Sequence, residues 1–396
     1  MKQIAVVGAG ITGLTTAYYL AQAGYRVFVY DQERYPAQRT SYANGCQVSV
    51  SNSETWNTWS NVIKGIKWLL KKDAPLLIRP GMDWNQLKWL FKFLYHTANN
   101  DYARNTSQTI RMGIEARDLY QNIIIKEGIE FDRMRSGILH IYRDPEYMQA
   151  ATLVQEMYNA NGCEWEILDN QQVCELEPTL YNCKSIIGGA YTESDWTGDI
   201  HKFCTSLAEI LKRKYQVEFR FNYTVDLHDL TKEFTTVVVS AGVGSEKLAR
   251  SIGDRLNIYP VKGYSVTINI KDIQSHRAMP RTSLLDDQAK IVCANLGGRF
   301  RVAGTAELAG ENYDIRRDRI KPLLSWVHSN FPAIDASDYS SFACLRPMTP
   351  NMMPRVGRSQ RNLRVYYNTG HGHLGWTLAP FTAKQITQEI TNGSSS

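Results

Sequence analysis

The first thirty-one residues constrain this chain more than any other stretch. Ile4 to Val7 is an unbroken apolar run, and Gly8-Ala-Gly10-Ile-Thr-Gly13 follows at once. Leu14, Ala17, Tyr18 and Leu20 then share one stripe of a helix that stops at Gly24, and a second apolar run, Val27 to Tyr30, ends at Asp31. Strand, glycine turn, helix and strand in this order predict a dinucleotide-binding unit. Gly8 serves the tight turn, Gly10 lets a pyrophosphate approach the backbone, and Gly13 lets helix and strand pack closely. The helix N-terminus offers free N–H groups and the positive end of its dipole to phosphates. Asp31, eighteen residues past Gly13, suits hydrogen bonds from the hydroxyls of an adenosine ribose. The unit predicts bound ADP and leaves open whether NAD or FAD carries it.

The 396 residues are enough for two domains and a large core. No stretch approaches the roughly 20 uninterrupted apolar residues of a membrane span. Met1-Lys2 before an apolar run has the look of a signal peptide. That run is already the first strand and glycine turn, so the reading is a mature, cytoplasmic protein. Seven cysteines form no CxxC pair, which predicts reduced, packed thiols. A net charge of +6 fits an anionic cofactor and substrate, or an acidic membrane surface. Nucleic acid would want a denser basic stripe and is not expected as a partner.

Beyond Asp31 a polar loop carries Arg34, Thr40, Ser41 and Asn44. Amphipathic helices are predicted over 62–72 and 84–97, separated by the breakers Pro75 and Pro80-Gly81, and a long helix over 106–127. Gly137-Ile-Leu-His-Ile-Tyr142 and Gly188-Gly-Ala-Tyr191 read as strands, with Pro145 starting a helix between them. Asp199 is a plausible N-cap for a helix ending near Lys214. Thr235-Thr-Val-Val-Val-Ser-Ala-Gly242 reads as a buried parallel strand. The strands at 265–270, 291–294 and 300–303 alternate and predict an antiparallel sheet. A last buried strand at 363–368 leads through a glycine-rich loop into a helix reaching about Ile390. The fold class expected is α/β: a discontinuous Rossmann-like nucleotide domain interrupted by an α+β substrate domain with a mainly antiparallel sheet. The nucleotide part is assigned to 1–60, 145–175, 196–257 and 343–396, and the substrate part to 61–144, 176–195 and 258–342.

Asn368-Thr-Gly370-His-Gly372-His-Leu-Gly375-Trp-Thr377 lies between that strand and that helix. Its glycines admit a flat ligand to the backbone, and the helix N-terminus would stabilise negative charge on it, as a reduced isoalloxazine requires. The alternative is an ordinary turn capping a helix. His371 and His373 have no acidic or cysteine partner nearby in sequence, so no metal site is expected. Arg346, stiffened by Pro347 and Pro350, is the natural bidentate partner for a substrate carboxylate, although one arginine alone reads more readily as surface charge.

Taken together, Gly8–Asp31, Thr40-Ser-Tyr-Ala-Asn44 with Gln47, Tyr259-Pro-Val-Lys-Gly-Tyr-Ser265, Leu345-Arg-Pro-Met-Thr-Pro350 and the 368–377 loop resemble the bacterial FAD-dependent D-amino acid dehydrogenases. These sit within the D-amino acid oxidase and glycine oxidase superfamily, and the resemblance runs from residue 1 to about 390. It implies FAD as cofactor, with ADP held at Gly8, Gly10, Gly13 and Asp31. Arg34 and Val225 are further candidates for cofactor contact. Thr40, Ser41, Ala43, Asn44 and Gln47 match a loop lying against the flavin, and Ala241 and Gly242 a strand end near it. Gly370, His371, Gly372, His373, Leu374, Gly375, Trp376 and Thr377 match the pyrimidine end. Arg346 matches the carboxylate clamp, and Tyr264 falls where the family lines its active site. The implied chemistry passes the α-hydrogen to flavin N5 as hydride, leaving an imino acid that hydrolyses to a 2-oxo acid and ammonia.

The implied electron acceptor is a membrane quinone or another non-oxygen acceptor. Segment 62–97 interleaves Lys64, Lys67, Lys71, Lys72, Lys88 and Lys92 with Trp68, Leu69, Trp89, Phe91 and Phe93, as helices lying on an anionic bilayer do. Peripheral contact at the inner face of the cell membrane is therefore one expectation; two helices packing their aromatics on the substrate domain is the other. Two further functions stay open: an oxygen-using oxidase of the glycine/sarcosine type, and a non-catalytic flavin-bearing subunit, which the retained Arg346 and flavin loop argue against. Three departures from the family stand out. Gly45-Cys46 puts a thiol where a small residue and glycine are usual, either beside the flavin face or, the more expected reading, as a small apolar residue with no special role. The connection from Thr224 to Thr235 is short, and an extended C-terminal tail is lacking.

Overall fold

The computed structural model describes residues 2–69, 76–78 and 83–393. Lys71, Lys72 and the expected breakers Pro75 and Pro80-Gly81 lie outside the described residues.

Gln3–Val7 sits inside a six-stranded sheet, between Thr236–Val239 and Arg26–Tyr30 and parallel to both. Val365–Thr369 and Glu218–Arg220 extend it in parallel on either side, and Arg355–Arg358 closes one edge antiparallel. The apolar runs need no polar alternation because both faces are covered. Ile4, Val6, Val27, Val29 and Val238 point into one buried cluster with Leu14, Phe203 and Ile386. Ala5, Val7, Phe28, Tyr30, Val237 and Val239 point into another, with Leu230 and Ala249. On the first face the helix Ile11–Gln22 packs against Gly375–Gly393 and Ile200–Lys214.

Helix starts follow their caps. Asp199 accepts from the N–H groups of His201 (2.8 Å) and Lys202 (3.2 Å), opening Ile200–Lys214 as expected. Asp144 and Pro145 open Pro145–Ala160. The long helix starts earlier than predicted, at Asp101, and stops after Glu127 at Gly128 in the left-handed region (φ 64°). The stretch read as a bare connection before Thr235 contains a helix, Leu227–Glu233, capped by Asp226. A seven-residue helix has too few turns to show a periodic stripe, so its cap was the only legible sign.

A second sheet of nine strands is mostly antiparallel, in the order Tyr339–Met348, Tyr259–Asn269, Arg299–Leu308, Ile291–Asn295, Ser283–Asp286, Ile138–Tyr142, Gly188–Thr192 and Glu166–Asp169, with Leu76–Ile78 parallel to Arg299–Leu308. Glu166–Asp169 therefore lies outside the nucleotide sheet, although 145–175 was assigned there, and Tyr339–Met348 straddles the expected boundary at 342/343. Four apolar-polar letters carry no information about which of two sheets a strand joins. The 40–47 loop ties the sheets together: Thr40 donates to Leu345 O (2.8 Å), Ser265 to Ala43 O (2.7 Å) and Gln47 to Ser283 Oγ (2.8 Å).

Candidate active site

Between the sheets runs a cavity of about 1180 Å³. That exceeds the roughly 300–1,000 Å³ of a site for one drug-sized ligand, so a dinucleotide and a small substrate can share it. Its walls include Gly8, Gly10, Asp31, Thr40, Ser41, Ala43, Asn44, Gln47, Val225, Ala241, Gly242, Arg346 and the whole of 370–377.

The glycine turn is built as its sequence demands. Gly8 takes φ 110°, and a Cβ there would sit 2.5 Å from the Ser240 carbonyl oxygen. A Cβ on Gly13 would lie 1.8 Å from Gly8 O, so Gly13 serves packing behind the cavity wall. Gly10 caps the helix with no side chain, and Ser41 Oγ accepts the Ile11 N–H at 3.0 Å. Asp31 reaches the cavity, and its oxygens also accept from Ala9 N (2.6 Å) and Glu33 N (2.8 Å). Burial pushes its carboxyl upward, opposed by those two backbone bonds. Each oxygen keeps lone-pair capacity for a ribose hydroxyl. Ser240 Oγ, buried on the same wall, has no partner. A cradle that no Cβ could share, beside an orphaned hydroxyl, fits a dinucleotide.

At the far end Gly370 (φ 74°) and Gly372 (φ 59°) bend the chain into the helix Gly375–Gly393. His371 Nε2 meets Thr382 Oγ1 at 2.9 Å; burial lowers its pKa to about 3 and keeps it neutral. Burial likewise takes His373 down to about 4. His373 donates from Nε2 to Asn52 O (3.1 Å), stacks on Trp56 and leaves Nδ1 without a partner. His373 itself lines the cavity. Among the described residues no cluster of three His, Cys, Asp or Glu could hold a metal.

Arg346 projects from Tyr339–Met348 opposite Val261. Its Nη1 donates to Thr305 O at 3.0 Å, and among the described residues no carboxylate pairs with it. The guanidinium packs against Gly263, where a Cβ would come within 2.6 Å of Nη2. Its remaining donors form an unpaired fork on the cavity wall.

Two expectations are corrected, and a third, Tyr264, gains a structural partner. Arg34 is absent from the wall and lies over Tyr35; Arg39 takes the position, over Tyr313 and paired with Glu33. Cys46 is wholly buried behind Gly45 and Gln47, its Sγ 3.6 Å from Arg301 Nη1, and burial pushes the thiol up to about 11. It does not face the cavity, because a left-handed φ of 62° turns its side chain into the core. Tyr264 borders the cavity, yet its ring packs with Val266 and Ile268 in the second core and its hydroxyl donates to buried Glu307 at 2.7 Å. Burial raises its pKa, with Glu307 adding to the shift. A bulge between Lys262 and Tyr264 changes the strand's phase there, which spacing alone could not reveal.

The sequence reading also missed a polar group on the wall: Ser49, Ser51, Glu54, Tyr102, His140, Asp287 and Lys290. His140 was legible in principle as the one polar residue of an otherwise apolar strand, Ile138–Tyr142.

A nucleotide cradle at the ends of a parallel sheet, facing an arginine-bearing antiparallel sheet, defines a two-part flavin-dependent oxidoreductase. The sequence profile of the FAD dependent oxidoreductase family matches residues 3–389, and the chain belongs to this family. It is 45% identical to D-amino acid dehydrogenase 3 of Mesorhizobium japonicum, covering 98% of this chain and 97% of that one. It is 35% identical to D-amino acid dehydrogenase of Dechloromonas aromatica, with the same coverage of 98% and 97%. Among solved structures, glycine oxidase from Geobacillus kaustophilus shares the fold with a TM-score of 0.76 at 15% identity, covering 99% of this chain and 95% of that one.

Proposed function

We propose that the protein oxidises a D-amino acid to its imino acid, which hydrolyses to the 2-oxo acid and ammonia. The observation that carries this is Arg346, a guanidinium on the cavity wall with no carboxylate partner among the described residues, able to clamp an α-carboxylate bidentately. Tyr264 would support that wall from behind through Glu307. Gly8, Gly10, Asp31, Ser41 and the 370–377 loop would hold FAD, which supplies the acceptor for the Cα hydride when bound. The enzyme's part is to fix Cα in line and exclude water, which needs no Ser-His-Asp set on the substrate carbonyl. The names of the relatives support the D-series substrate. Anaerobic addition of D-amino acids should bleach the flavin while their L-isomers leave it oxidised; no bleaching with any amino acid would overturn the reading.

The electron acceptor in this reading is a quinone reached at a membrane surface. No helix among the described residues is long and apolar enough to cross a membrane. The helices Trp59–Leu69 and Trp84–Ala98 nevertheless expose Trp59, Ile63, Ile66, Trp84 (73%) and Phe91 (74%), beside Lys67 and Lys88. On the second helix the opposite stripe, Gln86, Trp89 and Thr97, is buried, with Leu90 and Phe93 half-buried beside Trp89. A basic, apolar face of this kind suits an anionic lipid surface. Hydrogen peroxide formed in step with substrate would identify oxygen as the acceptor instead.

A further inference from the structure

One wall of the cavity carries a line of hydrogen-bonded side chains that hydride transfer alone leaves unused. Ser49 Oγ lies 2.9 Å from Ser51 Oγ, Ser51 Oγ lies 3.2 Å from His140 Nε2, and His140 Nδ1 lies 2.8 Å from Asp287 Oδ2. Lys290 Nζ donates to the other Asp287 oxygen at 3.2 Å. All five residues line the same cavity as Arg346. The line begins close to the loop read as the flavin's, since Thr377 Oγ1 accepts the Ser49 N–H at 3.2 Å.

The fold holds each member in place. Asp195, paired with Arg117, accepts the N–H groups of Val50 and Ser51, both at 2.9 Å, and the Tyr158 hydroxyl donates to Ser51 O. His140 is in register with Leu285, two residues before Asp287, so parallel pairing of Ile138–Tyr142 with Ser283–Asp286 sets the imidazole beside that carboxylate. Trp165 packs across the ring at 4.8 Å.

The direction of the line follows from its donors. Burial alone would raise Asp287, but Lys290 and His140 outweigh it and hold the carboxyl well below the usual carboxylate range. An ionised Asp287 only accepts, so His140 carries its hydrogen on Nδ1 and Nε2 accepts from Ser51. Ser51 in turn accepts from Ser49, whose oxygen keeps a lone pair for a donor in the cavity. The other groups facing this line are Glu54, which takes the Tyr102 hydroxyl, the phenols Tyr142 and Tyr147, and His373. Burial raises the pKa of Glu54 and of these phenols, Tyr102 and Tyr158 included, and lowers that of His373. The line therefore leads to the His140 imidazole.

We propose that Ser49, Ser51 and His140, oriented by Asp287, form the outlet for the proton that the substrate's α-ammonium must lose before its hydride can leave. This rests on the amino acid reading above. One ammonium N–H bond breaks with its electron pair left on nitrogen. The proton goes to Ser49 Oγ as Ser49's own passes to Ser51 Oγ and Ser51's passes to His140 Nε2. The freed pair on nitrogen assists departure of the hydride, which takes its two electrons to the flavin acceptor. His140 later yields its proton to water through the cavity. Ser49 is then the catalytic residue, and Ser51, His140 and Asp287 are positioning residues.

The test is the pH profile of flavin reduction under anaerobic conditions in wild type, Ser51→Ala and His140→Gln holoenzymes. Without the outlet only substrate already neutral in solution reacts. Both variants should therefore fall at least about 100-fold below wild type near neutral pH. They should climb back towards it as the pH nears the substrate's own amine pKa. A loss of the same size at every pH means a structural role and overturns the outlet. If His140→Gln fails to hold FAD, Ser51→Ala, which removes one oxygen, carries the test. A wild type that no amino acid reduces overturns the functional reading itself, whereas a reducible wild type with a flat ratio overturns the outlet alone.

Discussion

Gly263 and Arg346 lie diagonally on neighbouring strands, so close that a single added methyl group would strike the guanidinium, 2.6 Å from Nη2 and 2.7 Å from Cζ. The bare Cα is what allows the fork to lie against the sheet and present its edge to the cavity. Gly263→Ala should therefore displace the clamp without emptying the flavin site. A charge-assisted hydrogen bond contributes about 1.5–3 kcal/mol. The expected result is a KM for the amino acid raised by roughly 10- to 100-fold, with flavin content unchanged. Steady-state kinetics beside the visible spectrum checks it; an unchanged KM would show that Arg346 does not hold the carboxylate.

Gly13 makes a different demand. Its Cβ would overlap Gly8 O at 1.8 Å, so Gly13→Ala must move the helix Ile11–Gln22 off the first strand. Overpacking of this kind costs about 1–3 kcal/mol. It would also spoil the helix N-terminus that is proposed to hold the phosphates. The variant should purify largely free of flavin, read from the ratio of visible to ultraviolet absorbance. Full flavin occupancy would be inconsistent with a close-packed turn.

The neutral imidazoles predict a pH dependence of stability. His371 and His373 have folded pKa values of about 3 and about 4, below the ordinary histidine value near 6.5. Between those limits the unfolded chain binds protons that the folded chain refuses, so stability is full above about pH 6.5 and falls as the pH drops towards 4. Thermal melting of the holoenzyme should lose Tm steadily from pH 7 to pH 5. His371→Gln, which keeps a polar contact for Thr382, should show a shallower slope; an unaltered slope would assign the acid sensitivity to other groups.

The exposed face of Trp84–Ala98 gives the membrane reading its own test. Phe91→Asp with Trp84→Ser should reduce co-sedimentation with anionic phospholipid vesicles several-fold while leaving flavin reduction by substrate intact. Wild type that stays in the supernatant at low salt would remove the membrane from the functional reading.

The nucleotide half was legible because its rules are local. Gly8, Gly10, Gly13 and Asp31 lie within one turn-helix-strand unit, and each has a steric or hydrogen-bonding task that spacing alone exposes. The turn at Gly370 and Gly372 into the last helix was legible for the same reason. Side-chain direction at irregular backbone was not. Cys46 turns inward on a positive φ, and Tyr264 turns with a bulge, and neither feature leaves a mark in residue type. The line from Ser49 to Asp287 was illegible because three chain segments more than 80 residues apart meet only through strand register. The sheet membership of Glu166–Asp169 was hidden by the same dependence on distant pairing.

The three hydrogen bonds that fasten the 40–47 loop to Leu345, Ser265 and Ser283 carry a consequence for the whole molecule. The loop borders the cavity on one side and grips the antiparallel sheet on the other, so a dinucleotide held there as proposed would act as a rivet through both halves. Binding only to the assembled form, it stabilises by RT ln(1 + [L]/Kd), about 2.7 kcal/mol at a hundredfold excess over Kd. Stripping the flavin should thus slacken the junction between the sheets, where protease cuts would appear first, well before either hydrophobic core gives way.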